Sequence, residues 1–450
     1  MRLDEGNELL GSSSSQKISV IDNCLNNPKP GVALNIALSL AGGNAADAVE
    51  IMCVGFIMSE MSDISSYKKA LLSSAVFMGM LLGGLGCGYL SDIIGRRPCL
   101  LYSLGINTLA GLASAGAPNI EVLIACRMIA GLGIGGSVPI VFSTGAEIFP
   151  AHCRGQFLSI IASFWMVGAI YVAFSAWIML GDDFYGQKIM HGVGWRSFAI
   201  VSALPAIVAW FLTYFNIPES PRFLADKQQF SESAAVLNTL STVQIEAADL
   251  EFQCTLSDSK LQCLMSDESP SPPTPPVAFA GSILRGEYEP VQAEQYPINS
   301  SGLSVDSHQS SLHGTVSALE QSTIGLLFQG ALRRTSLTLL VIWFTLSFGT
   351  YGMSTWISTL FSDVGIGNPY AAAFIFAVAN LPGNIVSLLY IETFGRRWLL
   401  SVGMCLAAVS ALGFAFDTKL PVVVVLCASL FNAFSVIGWN SLDCLSGIKM

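Results

Sequence analysis

The chain has 450 residues, of which 52% are hydrophobic and 12% charged, with a formal net charge of -10 and a mean hydropathy of +0.59. A soluble domain carries about 25% charged residues, so this composition excludes a soluble globular protein. The acidity marks no basic partner, because Glu246, Asp249, Glu251, Asp258, Asp267 and Glu268 fall in one polar segment that reads as a solvated loop.

In chain order, residues 1–34 are polar and Ser-rich with no run of the signal-peptide kind, which predicts an uncleaved cytosolic tail. Crossing a hydrocarbon core takes about 20 helical residues. Ten apolar stretches meet that length: 35–58, 70–90, 99–117, 121–145, 156–180, 197–216, 336–361, 369–390, 398–416 and 420–440. Glycines four apart, Gly79 with Gly83, Gly84 with Gly88 and Gly131 with Gly135, predict close helix-to-helix packing. An all-α polytopic membrane protein follows, with a six-helix bundle over 35–216 and a four-helix group over 336–450. Between them lies a cytosolic loop, 217–335. It opens with Pro218–Leu224 and a helical stretch to Val243, then passes through a Pro-rich run, 269–276, whose composition reads as largely disordered. Lys and Arg are more frequent in the tail, in the turns at Arg96 and Arg396, in the loop after the sixth span and at the C-terminus, which places both termini in the cytosol. The eleven cysteines show no metal-like spacing and imply no disulfide framework.

Few ionisable groups lie inside the spans. Asp47 and Glu50 are in the first and Arg127 is near the start of the fourth, and each costs about 2.5–3.5 kcal/mol to insert alone. They therefore need partners. Asn44, Asp47 and Glu50 recur every three residues and share a helical face, and the guanidinium of Arg127 can hold a carboxylate through two hydrogen bonds. Arg127 is expected to pair with Asp47 or with Glu50, the pair breaking on protonation or on solute binding. A permanent ion pair that only fixes helix packing is the alternative.

A short pattern occurs twice. Gly88, Asp92, Gly95, Arg96 and Arg97 lie in the turn between the second and third spans, and Glu392, Gly395, Arg396 and Arg397 repeat its core between the eighth and ninth. Such an internal repeat is the usual construction of a secondary transporter. A carboxylate near a helix end, a tight glycine turn and a bidentate donor predict a latch between helix bundles, released as they rock.

These turns, 88–98, resemble the cytosolic loop signature of the major facilitator superfamily, and Arg127–Gly136 resembles its fourth-helix motif. Pro218–Leu224 and Ala146–Gly155 are similar to the branch of sugar porters and organic-ion transporters. The stretches 45–51, 164–171, 342–352, 381–389 and 439–446 resemble the synaptic vesicle glycoprotein 2 family. The resemblance implies a mid-membrane cavity with Asp47, Glu50 and Arg127 as its polar network, and with Trp165, Trp439 and Asp443 as ligand contacts. Tyr351 and Trp356 are further members of that type, and Trp439 also fits an interfacial anchor. Ile93 stands where the loop signature has Arg or Lys, and no large insertion follows the seventh span. The superfamily expects twelve helices, whereas this chain stops soon after its tenth span, as expected of a truncated gene product or a short isoform.

The expected function is secondary-active or facilitative transport of a small organic solute by alternating access, with protons as a coupling ion, by a monomer in the lipid bilayer. The alternative is a non-transporting membrane protein that binds a ligand or regulates a relative. The sequence carries no nucleophile with a partnered base, no metal-ligand cluster and no nucleotide loop, so neither an enzyme, a cofactor nor a nucleic-acid partner is expected. Gly131–Gly136 lies within an apolar helix and follows no strand, unlike a phosphate cradle.

Overall fold

A chain crossing a bilayer must satisfy its backbone polar groups internally, and helices do so segment by segment. The computed structural model describes residues 21–61, 64–182, 188–190, 192–251, 332–416 and 420–446. Among the described residues, ten helical stretches are long and apolar enough to cross a membrane. Six precede the central region: α1 (Val32–Glu60), α2 (Ser66–Ile94), α3 (Arg96–Ala115), α4 (Ile120–Ile148), α5 (Arg154–Leu180) and α6 (Trp195–Asn216). Two short helices follow, α7 (Pro221–Asp226) and α8 (Phe230–Leu240). The remaining elements are α9 (Leu332–Asp363), α10 (Pro369–Val378), α11 (Asn380–Phe394), α12 (Arg396–Phe416) and α13 (Pro421–Ser446).

The expected eighth span is present from Pro369 to Ser387 and is interrupted once. Pro382 has no N–H to return to the carbonyl of Val378, so the backbone breaks at Ala379, between α10 and α11. The start of the central loop is also structured. Residues 217–251 carry α7 and α8, and the segment ahead of α1 is strapped to them: Lys29 N–H donates to the Leu240 carbonyl at 2.8 Å, and Arg222 meets Asp22 at 2.5 Å. The disorder expected further along falls on 252–331, outside the described residues.

The chain divides into two compact units, 1–258 with 346–450 and 259–345. Residues 332–345, the first turns of α9, are what is described of the second unit.

Within the first unit, α2 and α4 meet through glycine. A methyl group at Gly79 or Gly83 would strike the carbonyl oxygens of Met128 or Leu132, and one at Gly131 or Gly135 would strike those of Val76 or Met80. Four missing side chains thus let two backbones touch. Gly88, by contrast, faces open space. Helices from before and after the central region also meet: Ser358 of α9 donates to the Gly55 carbonyl at 3.1 Å, and Tyr370 of α10 donates to Glu60 at 2.9 Å.

Gly83→Val is expected to lower stability by about 1–3 kcal/mol or more through overpacking, while Gly88→Ala leaves it unchanged. Thermal unfolding of the two purified variants in detergent checks both.

Candidate functional site

Every third residue of an α-helix steps back by about 60°, so Asn44, Asp47 and Glu50 fan across an arc of about 120°. The structure sends them to three different partners. The Asn44 amide donates to the Ile161 carbonyl of α5 at 2.9 Å. The Asp47 carboxylate accepts from Asn107 of α3 at 3.2 Å and from the Ser137 hydroxyl of α4 at 2.6 Å. Glu50 accepts from Arg127 at 2.7 Å. All are buried, Asp47 at 0% and Glu50 and Arg127 at 1% exposure. Asn44 therefore stands outside the charge network and ties α1 to α5. The cation expected on either carboxylate sits on Glu50.

The expected two-pronged grip is single. One terminal nitrogen of Arg127 reaches Glu50 and the Cys53 sulfur at 3.1 Å, and the other turns to the Gly111 carbonyl at 3.3 Å and to the Ser114 hydroxyl. Glu50 Oε1 and Arg127 Nε are buried without partners. Gly111 leaves room for the pair, since a methyl there would come within 2.5 Å of Glu50 Oε1.

The repeated turns differ in what the structure describes. Gly95 has φ +104° and Gly395 φ +82°, a half of the map open to glycine and strained for other residues. In the first copy, Arg96 bonds Asp92 and reaches Glu147 of α4 at 3.2 Å, and Arg97 donates to the Tyr214 carbonyl at 2.9 Å. The backbone N–H groups of Arg96 and Arg97 donate to Glu219 at 2.8 and 3.2 Å. These partners lie between residues 91 and 219, so the turn is stapled within its own bundle instead of bridging to the other one. In the second copy, the side chains of Glu392 and Arg396 lie outside the described residues, and Arg397 is exposed.

The aromatic candidates converge. Trp165 of α5 and Tyr351 of α9 have ring centroids 6.0 Å apart, and Tyr351 and Trp439 of α13 are 5.8 Å apart. Trp439 also donates to Thr350 at 3.1 Å, a partner that an interfacial anchor has no need of. Trp356 packs, with Trp165 and Tyr351, on the apolar core, and the Asp443 side chain lies outside the described residues.

A cavity of about 20 Å³ lies among α1, α5, α9, α10, α11 and α13, bordered by Phe56, Ala173, Ser354, Asn380 and Asn432. That holds about one water molecule, far below the several hundred Å³ of a solute pocket. Asn380 Oδ1 is buried there without a partner, at the break between α10 and α11. Nearby, Asn432 donates to the Phe376 carbonyl at 2.7 Å, and Asn440 to Asn384 at 2.9 Å.

Sequence reasoning passed over Asn107, Ser137, Glu147, Glu219 and these asparagines. An amide within an apolar span was the available signal, because its polar atoms must find partners in the membrane just as charged ones do.

The sequence matches the model of the sugar (and other) transporter family over residues 29–267 and 299–445. It is 30% identical over 324 residues to synaptic vesicle glycoprotein 2C of Mus musculus, covering 69% of this chain and 40% of that protein. To synaptic vesicle glycoprotein 2A of Rattus norvegicus it is 35% identical over 210 residues, covering 45% and 28%. The chain thus spans less than half the length of these relatives. The fold is that of the xylose transporter XylE from E. coli in a partially occluded inward-open conformation, with TM-score 0.63, 17% identity and coverage of 93% of this chain and 88% of that one. A D-xylose-proton symporter matches with TM-score 0.57, 18% identity, and coverage of 90% and 80%.

Arg127→Met strands a buried carboxylate and is expected to cost about 3–5 kcal/mol, most of it recovered when Glu50→Gln is added. Unfolding of the single and double variants in detergent measures the difference.

Proposed function

The chain belongs to the sugar (and other) transporter family of the major facilitator superfamily, and on that premise we propose that it is a secondary carrier. It moves a small, uncharged polar solute such as a monosaccharide or polyol by alternating access. The observation that carries this reading is the cavity at Asn380, because it is bordered by helices from both sides of the central region and holds a buried acceptor with no protein partner. A hydroxyl-bearing solute offers the missing donor. Parting the two groups of helices enlarges the cavity toward solute size, and the rings of Trp165, Tyr351 and Trp439 supply an apolar face for a sugar ring.

Proton coupling is assigned to the network of α1, α3 and α4. Asp47 is bonded by the neutral donors Asn107 and Ser137, and Arg127 is engaged by Glu50, so Asp47 can gain a proton without breaking an ion pair. The turn at Gly95–Arg97 serves as a rigid staple of the first bundle as the bundles rock. The positive-inside distribution supports cytosolic termini, and the carrier works as a monomer. The narrowness of the cavity favours a second reading, a ligand-binding or regulatory membrane protein that does not transport.

Purified chain in proteoliposomes, offered labelled monosaccharides, polyols and organic ions, separates the two. Uptake above protein-free vesicles for the neutral polyhydroxyl solutes supports the carrier, and its absence across the panel supports the second reading. For the transported solute, Asn380→Ala is expected to raise KM about tenfold, the loss of one hydrogen bond. Asp47→Asn is expected to abolish accumulation driven by a pH gradient while sparing equilibrium exchange.

A further inference from the structure

Asn107 is 0% exposed, and its two polar atoms are unequally served. The amide nitrogen donates to Asp47 Oδ1 at 3.2 Å, while the carbonyl oxygen is buried with no partner. A buried polar atom without a partner costs about 1–3 kcal/mol, and such atoms are rare enough in folded proteins to call for a reason. Here the oxygen and the nitrogen of one amide lie on the same Cγ, so half a turn about Cβ–Cγ exchanges them.

We propose that Asn107 is a positioning residue for Asp47 that serves both protonation states of that carboxyl group. Its N–H holds the ionised group, and its idle carbonyl oxygen receives the O–H of the protonated acid after the amide turns over. Ser137 has the matching freedom. Its single hydroxyl proton has two acceptors in reach, Asp47 Oδ2 at 2.6 Å and the Ile134 carbonyl at 3.0 Å, so it can hold the ionised carboxylate or withdraw to its own helix. The carboxyl group on α1 thus gains or loses a proton while α3 and α4 stay in place, and two side-chain rotations absorb the change.

The surrounding charges leave this exchange to neutral groups. On α1, Glu50 and Cys53 follow Asp47, and both contact Arg127 of α4. Cys99 on α3 approaches the Cys87 carbonyl, and Asp92 on α2 pairs with Arg96. Tyr171 on α5 donates to the Val201 carbonyl at 3.0 Å. On α6, Arg196 donates to the Ala117 carbonyl at 2.8 Å, and Tyr214 stacks on Trp210.

The inference rests on the coupling role given to Asp47 above, and infrared difference spectroscopy tests it without any need for transport. The purified full chain is titrated with acid. The expected result is a carboxylic C=O band that is absent in Asp47→Asn. In Asn107→Leu the band moves to higher wavenumber because the acid has lost its acceptor. Asn107→Ala, which removes the amide without adding bulk, acts in the same way if the leucine variant does not fold. In Ser137→Ala the band persists and its titration midpoint moves up by about one pH unit, the loss of one bond to the ionised form. An Asp47-dependent band that ignores both Asn107 variants overturns the proposal, as does the lack of any such band. A band that responds to Asn107 in a chain without solute uptake overturns the transport reading alone and leaves this one standing.

Discussion

The pair of Glu50 and Arg127, with both side chains 1% exposed, is a charge pair that has to be satisfied without water. Removing an ion from water costs several kcal/mol even after the protein relaxes, so each charge has to meet the other. Meeting that demand fixes α1 against α4 and draws in α3, whose Gly111 leaves space for the carboxylate and whose Ser114 takes the second arm of the guanidinium. Asp47 lies one turn back along α1. Because Arg127 is already engaged, this second carboxylate is held by an amide and a hydroxyl.

Rigidity has a separate source. Between α2 and α4 the contact is backbone against backbone along a row of glycines, and at the end of α2 the Gly95 turn is stapled to Glu147 and Glu219. Packing of this density has few intermediate states, which suits a bundle that moves as a body. The helices after the central region have another chemistry. Their buried polar groups include the amides of Asn380, Asn384 and Asn432, and a proline breaks one span where the amide of Asn380 faces the cavity. Among the described residues, the buried charges Asp47, Glu50 and Arg127 all lie in the first group.

Membrane helices are legible because their condition is local: an unbroken apolar run must be helical to satisfy its own backbone. The ten spans and the glycine pairs at 79/83 and 131/135 were therefore readable, as was the need of Asp47, Glu50 and Arg127 for partners. The break at Ala379 is local too, and Pro382 signals it. Partner choice is of a different kind. Arg127 had two carboxylates at compatible spacing, and Asn44 shared their helical face without sharing their partners.

By itself the sequence determined the helical membrane class, the number of apolar spans, their division about a polar central region and the family, since each follows from composition, periodicity or motif. Only the tertiary structure decided that Glu50 takes Arg127, that Asn107 and Ser137 hold Asp47, that Asn44 belongs to α5, and that the Arg96 turn is tied to its own bundle. The physical reason is that a buried polar group is satisfied by whichever complementary atom the packing brings within about 3 Å, and residues such as 47, 107 and 137 become neighbours only once three helices have been placed.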